Sequence, residues 1–246
     1  MTTGQEILHL LRYELKRTWP ALIGTFLLTL TLGGSIALLI SSDMAFFKES
    51  ITPISIPIDI LFITMLPYFC TIYGAKEYWS LTKLRQDPFA QQLAWYRTLP
   101  ISLDGFVMAR MSLSLILVAV MCISFFLPFL FFVFGNQMAI GGFLSFSLIW
   151  AAYAFGIGSA YTFLEWAKRG IWLFWIPTIT IFAIISPLLL WVNIAYRFNI
   201  VSWTLKLSVH YPILSVSIAW IGAACLILGW FFLIKNRIRT RDLAID

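Results

Sequence analysis

The sequence predicts an all-α membrane protein: six transmembrane helices, an N-terminal interfacial helix, and a cytoplasmic helix between spans two and three. Three observations lead there. Hydrophobic residues fill 61% of the 246 positions and charged residues only 11%, against about 25% charged in an ordinary soluble domain. The apolar residues gather into six runs of the length a helix needs to cross the hydrocarbon core, about 20 residues. None of the runs alternates as a barrel strand does, and lipid leaves no partner for an unpaired backbone group, so each run reads as a helix.

Residues 6–19 come first. Ile7, Leu8, Leu11, Leu15 and Trp19 share one helical face, while Arg12, Lys16 and Arg17 lie elsewhere. A basic face with a Trp anchor predicts a helix lying in the headgroup region. The spans follow at 20–40, 54–75, 111–134, 139–164, 171–192 and 213–234, leaving no room for a separate soluble domain. Ser35-Ile36-Ala37 has the pattern of a signal-peptide cleavage site. The apolar run continues to Ile40, however, and Glu6 and Glu14 precede it, so the first span is expected to stay uncleaved.

The net charge of +6 does not point to nucleic acid, because the basic residues flank apolar spans. With the N-terminus inside, 14 Lys and Arg residues fall on the cytoplasmic side and three, Lys48, Arg197 and Lys206, outside. Both termini are therefore expected in the cytoplasm. Cys70, Cys122 and Cys225 fall within spans and read as packing residues, not as a disulfide framework. Gly135-Asn136-Gln137 predicts a tight turn that makes spans three and four antiparallel neighbours. The connection Asn193–Pro212 carries Trp203, Leu205, Leu207 and Tyr211 and is expected to lie against the membrane surface.

The connection over residues 76–110 is the longest water-facing piece. Asp87-Pro88 is a helix start, with Asp as cap and Pro in the first helical position. Phe89, Leu93 and Tyr96 then recur on one face, and Arg97 closes the helix at its negative end. Leu99-Pro100 stops it, and Ser102 caps the helix that becomes span three.

This order of elements, over essentially the whole chain, resembles the type-2 permease subunits of bacterial ATP-binding-cassette exporters. Arg97-Thr98-Leu99-Pro100-Ile101-Ser102, with Arg110 further on, is similar to the Leu-Pro-Ile-Ser segment before the third span of that family. Leu103-Asp104 stands where the family usually has a basic residue, and Arg239-Thr240-Arg241-Asp242-Leu243 is similar to its basic tail. The resemblance implies a plasma-membrane permease that works with two separate ATPase subunits and a second permease chain, identical or related. It implies that Asp87, Phe89, Leu93, Tyr96 and Arg97 form the helix seated on the ATPase. ATP and Mg would be bound by that partner, since this chain has no phosphate-cradling G-x-x-x-x-G-K-[ST] loop and is not expected to be an enzyme.

Within the spans, Thr64, Tyr68 and Thr71 form a polar stripe on span two, and Thr178 stands in span five. Such groups face protein or a cavity, so the stripe is either interhelical hydrogen bonding or one wall of a substrate path. The resemblance implies the second, with spans two and five lining the cavity. Pro67, Pro128, Pro177 and Pro187 predict kinks. Small residues at spacing four (Thr29, Gly33, Ala37; Ala152, Gly156, Ala160; Ser215, Ala219, Ala223) predict close helix approach. Asp59 reads as a helix-start carboxylate or a proton-coupling group, and Glu165 with Lys168 as a local pair.

Other classes make different demands. Gly156-Ile157-Gly158-Ser159 mimics an intramembrane serine protease motif, but Ser159 and His210 fall on opposite sides of the bilayer, far beyond proton-transfer reach. An ion-coupled transporter is the stronger alternative: it commonly holds charge near the midplane or shows repeated halves, and with neither visible it would rest on sodium sites made of backbone alone. A non-transporting scaffold is the blander alternative. The apolar, aromatic walls with few hydroxyls suit an amphipathic cargo: a peptide, a drug or a lipid-like molecule.

Overall fold

A computed structural model describes residues 3–42, 55–71, 81–98, 101–134, 140–168 and 170–240. Every regular element among these is helical. Helix α1 is Thr3–Ser42, and α2 covers 55–71. Two short helices follow, α3 (Leu81–Arg85) and α4 (Pro88–Arg97). Then come α5 (residues 103–134), α6 (Ile140–Ala167), α7 (Trp172–Tyr196), α8 (Ile200–His210) and α9 (Pro212–Thr240). Five of these, α1, α5, α6, α7 and α9, are long and apolar enough to cross a membrane. The expected second span at 54–75 appears as a shorter apolar helix, and its residues 72–75 lie outside the described ones. So do Gly135-Asn136-Gln137, Leu99-Pro100 and the tail from Arg241.

The helix expected over 6–19 is found, continuous with the first span. Residues 3–42 form one helix with Pro20 inside it. At 1.5 Å per residue, 40 residues reach about 60 Å, twice the hydrocarbon core, and the first half of α1 runs on to pack against α4 and the start of α5. Ser102 caps the helix of the third span, as expected: its Oγ accepts from Gly105 N at 3.1 Å, and the helix runs from Leu103. The connection 193–212 is not a loop throughout, since it contains α8, capped by Asn199 through a 2.7 Å bond from Ser202 N.

Aromatic packing joins α2, α5 and α6. Phe62 is fully buried, with the rings of Phe125, Phe129, Phe146 and Trp150 at 5.5, 6.1, 5.8 and 4.9 Å. In lipid such packing, not water exclusion, brings helices together. The spaced small residues set the approach. A Cβ on Gly33 would meet the Phe125 carbonyl, and one on Gly156 would meet Leu226 and Ala223 of α9. Thr29 and Ser124 share a 2.9 Å hydrogen bond across α1 and α5.

Prolines leave their mark on the backbone. Wider π-helical turns occupy Leu61–Met65, before Pro67, Leu130–Phe134, after Pro128, and Thr180–Ile185, between Pro177 and Pro187. Pro67 has no N–H for the carbonyl of Ile63, four residues back. The Tyr153 hydroxyl of α6 donates to that carbonyl at 2.8 Å. Tyr153→Phe is therefore expected to cost about 1–2 kcal/mol in a detergent-unfolding titration, the cost of leaving a buried acceptor unmet. A cost near zero would show that the bond does not brace the turn.

Candidate functional site

One end of the bundle gathers the polar and charged groups around α4. Asp87 stands in the left-handed region, at φ 49°, which lets the chain reverse from α3 into α4. Its carboxylate accepts from Ala90 N and from Gly170 N, each at 3.3 Å, so it caps α4 and ties the connection between α6 and α7. Gly170 must be glycine here, because a Cβ would lie 2.7 Å from the Leu84 carbonyl.

The apolar face expected for α4 is present, but it points into the chain itself. Phe89, Leu93 and Tyr96 are all buried. The Phe89 ring lies 5.9 Å from Trp166 of α6, and Tyr96 lies 5.0 Å from Phe106 of α5. Arg97 Nη2 donates to the carbonyl of Ile238 near the end of α9 at 2.6 Å. The outward face carries Gln91, Trp95 and Thr98. Trp95 is 50% exposed and Tyr13 of α1 51% exposed, with ring centroids 6.4 Å apart.

Beneath α4 lies an ion network that sequence reasoning did not assemble. Arg110 Nη2 bonds Glu165 Oε1 at 2.6 Å, and its guanidinium carbon lies 4.6 Å from the centroid of the Trp166 ring. Arg110 Nη1 lies 3.3 Å from Glu14 Oε2, an ion pair without hydrogen-bond alignment. The Tyr96 hydroxyl donates to Glu14 Oε1, and Gln92 Nε2 donates to the same oxygen at 3.0 Å. Burial, with the Glu14 carboxylate adding to it, pushes the Tyr96 hydroxyl above its ordinary value, so it remains a donor. A small crevice opens here between Leu10, Glu14, Tyr96, Phe106, Arg110 and Leu113. The expected Glu165–Lys168 pair is corrected: Glu165 turns inward to Arg110, and Lys168 is exposed. The available signal was Arg110, the one charge between Asp104 and Glu165; Glu14 and Glu165 are obscured by the basic residues beside them.

Three of the four expected substrate-path residues have described side chains. Thr64 is buried and its hydroxyl donates to Ile60 O at 2.6 Å. Thr178 does the same to Phe174 O at 2.7 Å. Tyr68 meets Tyr161 of α6 edge-on at 5.6 Å. The side chain of Thr71 lies outside the described ones.

At the opposite end Asp59 caps a helix, though not its own. Its two oxygens accept from Val201 N and Ile200 N at 2.9 Å, and Asn193 Nδ2 donates to it at 3.3 Å. The first N–H groups of α8 thereby hold the buried carboxylate. The Ser159 hydroxyl is spent on Phe155 O at 2.8 Å, and His210 Nδ1 lies 2.9 Å from Lys206 O. Among the described residues no cluster of three metal-binding side chains occurs.

Comparison with protein-family models, with curated proteins and with solved structures gives no match.

Proposed function

We propose that this chain is the membrane-spanning permease subunit of an ATP-driven exporter in a bacterial plasma membrane, with α4 as the contact for a separate ATPase. In this reading both termini and α4 are cytoplasmic. Two ATPase subunits bind ATP and Mg, a second permease chain completes the path, and the cargo is amphipathic. Tyr68 and Thr178 are the proposed path residues, with Thr64 and Thr71 completing the stripe. The observation that carries the proposal is the fixing of α4. A ten-residue helix is held by Asp87 to Gly170, by Tyr96 to Glu14 and by Arg97 to Ile238. A push on such a helix reaches α1, α6 and α9 together.

Because Phe89, Leu93 and Tyr96 are used internally, the proposed docking surface is Gln91, Trp95 and Thr98, with Tyr13 beside them. Purified from its native membranes, the chain is expected to bring an ATP-hydrolysing subunit with it. Trp95→Asp is expected to lower the recovered hydrolysis at least about tenfold, the loss typical of one aromatic anchor, without changing the yield of folded chain. Hydrolysis that persists unchanged in the variant, or a cysteine at Gln91 that reacts with an impermeant reagent outside intact cells, would end this reading.

A further inference from the structure

Glu14 depends on α4 as much as α4 depends on it. Glu14 and Glu165 bring two negative charges to the network and Arg110 brings one positive charge. Arg110 is shared unevenly: 2.6 Å to Glu165, 3.3 Å and poorly aligned to Glu14. Two further donors reach Glu14, the Tyr96 hydroxyl and the Gln92 amide, and both belong to α4. A buried carboxylate without enough donors is costly. Lifting α4 away would strip Glu14 of both, leaving only the misaligned contact to an Arg already committed to Glu165. The crevice between Leu10, Tyr96 and Arg110 lies along this seam, where the packing is already open.

We propose that Glu14 is a positioning residue that latches α4 onto α1, its carboxylate fully hydrogen-bonded only while Tyr96 and Gln92 are seated. The latch is a property of this chain alone. Its use by an ATPase rests on the permease reading. Seated, α4 moves with the first half of α1. Unlatched, it is held only by the ring contacts to Phe106 and Trp166 and the bond to Ile238, and opens from them more often.

The test places a thiol under the helix. Leu93 is 1% exposed, so Leu93→Cys, with Cys70, Cys122 and Cys225 changed to Ala, should react slowly with a maleimide in lipid nanodiscs. Glu14→Gln is expected to raise the rate about tenfold, the weight of one charge-assisted bond, and Tyr96→Phe by a similar factor. The double variant should be no faster than about twice the faster single, because both remove the same bond. Glu165→Gln leaves Glu14 and Arg110 as a neutral pair and should change the rate less than about twofold. An unchanged rate in Glu14→Gln, multiplying effects in the double variant, or an equal effect of Glu165→Gln would overturn the latch. Amide exchange over residues 89–97 of the otherwise unsubstituted chain gives the same reading without the cysteine. ATP hydrolysis by a bound partner, measured on the same variants, bears on the permease reading alone.

Discussion

Arg110→Ala is expected to destabilise the chain by about 3–5 kcal/mol, more than any change on the outward face of α4. The reason is what it leaves behind. Glu14 and Glu165 have side chains 4% and 10% exposed, and Arg110 is the cation between them. Without it Glu14 and Glu165 each lose that cation where neither is well hydrated, and Trp166 loses the guanidinium near its ring. Thermal unfolding in detergent should show the loss. Adding Glu14→Gln and Glu165→Gln to Arg110→Ala should recover most of it, since the charges that lost their cation are then gone. An Arg110→Ala chain that unfolds within about 1 kcal/mol of the parent would mean that the network is open to water, as surface pairs are. Recovery separates a charge effect from a packing effect: if the neutralised triple variant stays as weak as the single, the guanidinium matters as volume.

The two halves of that network differ in how well the sequence announces them. The period of Phe89, Leu93 and Tyr96 predicts a helix with one apolar face, and Asp87-Pro88 predicts its start; both are found. What the period does not carry is the destination of that face. An apolar stripe next to a bilayer can pack on a partner or on its own chain, and only the positions of Phe106 and Trp166, some ten and seventy residues on, decide it. Glu165 shows the same limit. Its local neighbour Lys168 is a fair expectation at helical spacing, but Arg110, 55 residues away, lies inside the bundle and is desolvated, which makes it the stronger partner. Asp59 was legible as a helix-start carboxylate and illegible in its object, because the helix it caps begins 141 residues later. Local chemistry is written in the sequence; pairing across the fold is not.

α1 adds a related lesson about length. Trp19 and Pro20 mark a compositional boundary between a basic amphipathic half and an apolar half, and the boundary suggested a bend. Proline removes one backbone bond, and its ring crowds the preceding turn. Here helix continues on both sides. Contacts on the first half supply a reason: Glu14 is held by α4 and Arg110, and Ser102 Oγ donates to Glu6 Oε2 at 3.3 Å. Side chains from the rest of the chain thus hold residues 6–14 against α4 and the start of α5.

Gly33→Ala is expected to separate α1 from α5 and to cost about 3 kcal/mol, at the upper end for a single added methyl. The added Cβ would stand 2.1 Å from the Phe125 carbonyl oxygen, 2.9 Å from its carbon and 3.0 Å from its Cα. All three are backbone atoms, so no rotamer change relieves the clash and one helix must move. Movement there breaks linked contacts: the Thr29–Ser124 hydrogen bond, the 2.9 Å bond from Ser124 to Phe26 O, and the edge-on contact of Phe125 with Phe62. Gly24 lies nine residues earlier on the same helix and supplies the control. A Cβ there meets nothing within 4 Å, so Gly24→Ala should be neutral or mildly stabilising, by up to about 1 kcal/mol. Detergent-unfolding titrations of the two variants should therefore move in opposite directions. Equal behaviour would mean that α1 does not approach α5 through Gly33, and the helix pair that carries the Glu14 latch would have to be placed differently.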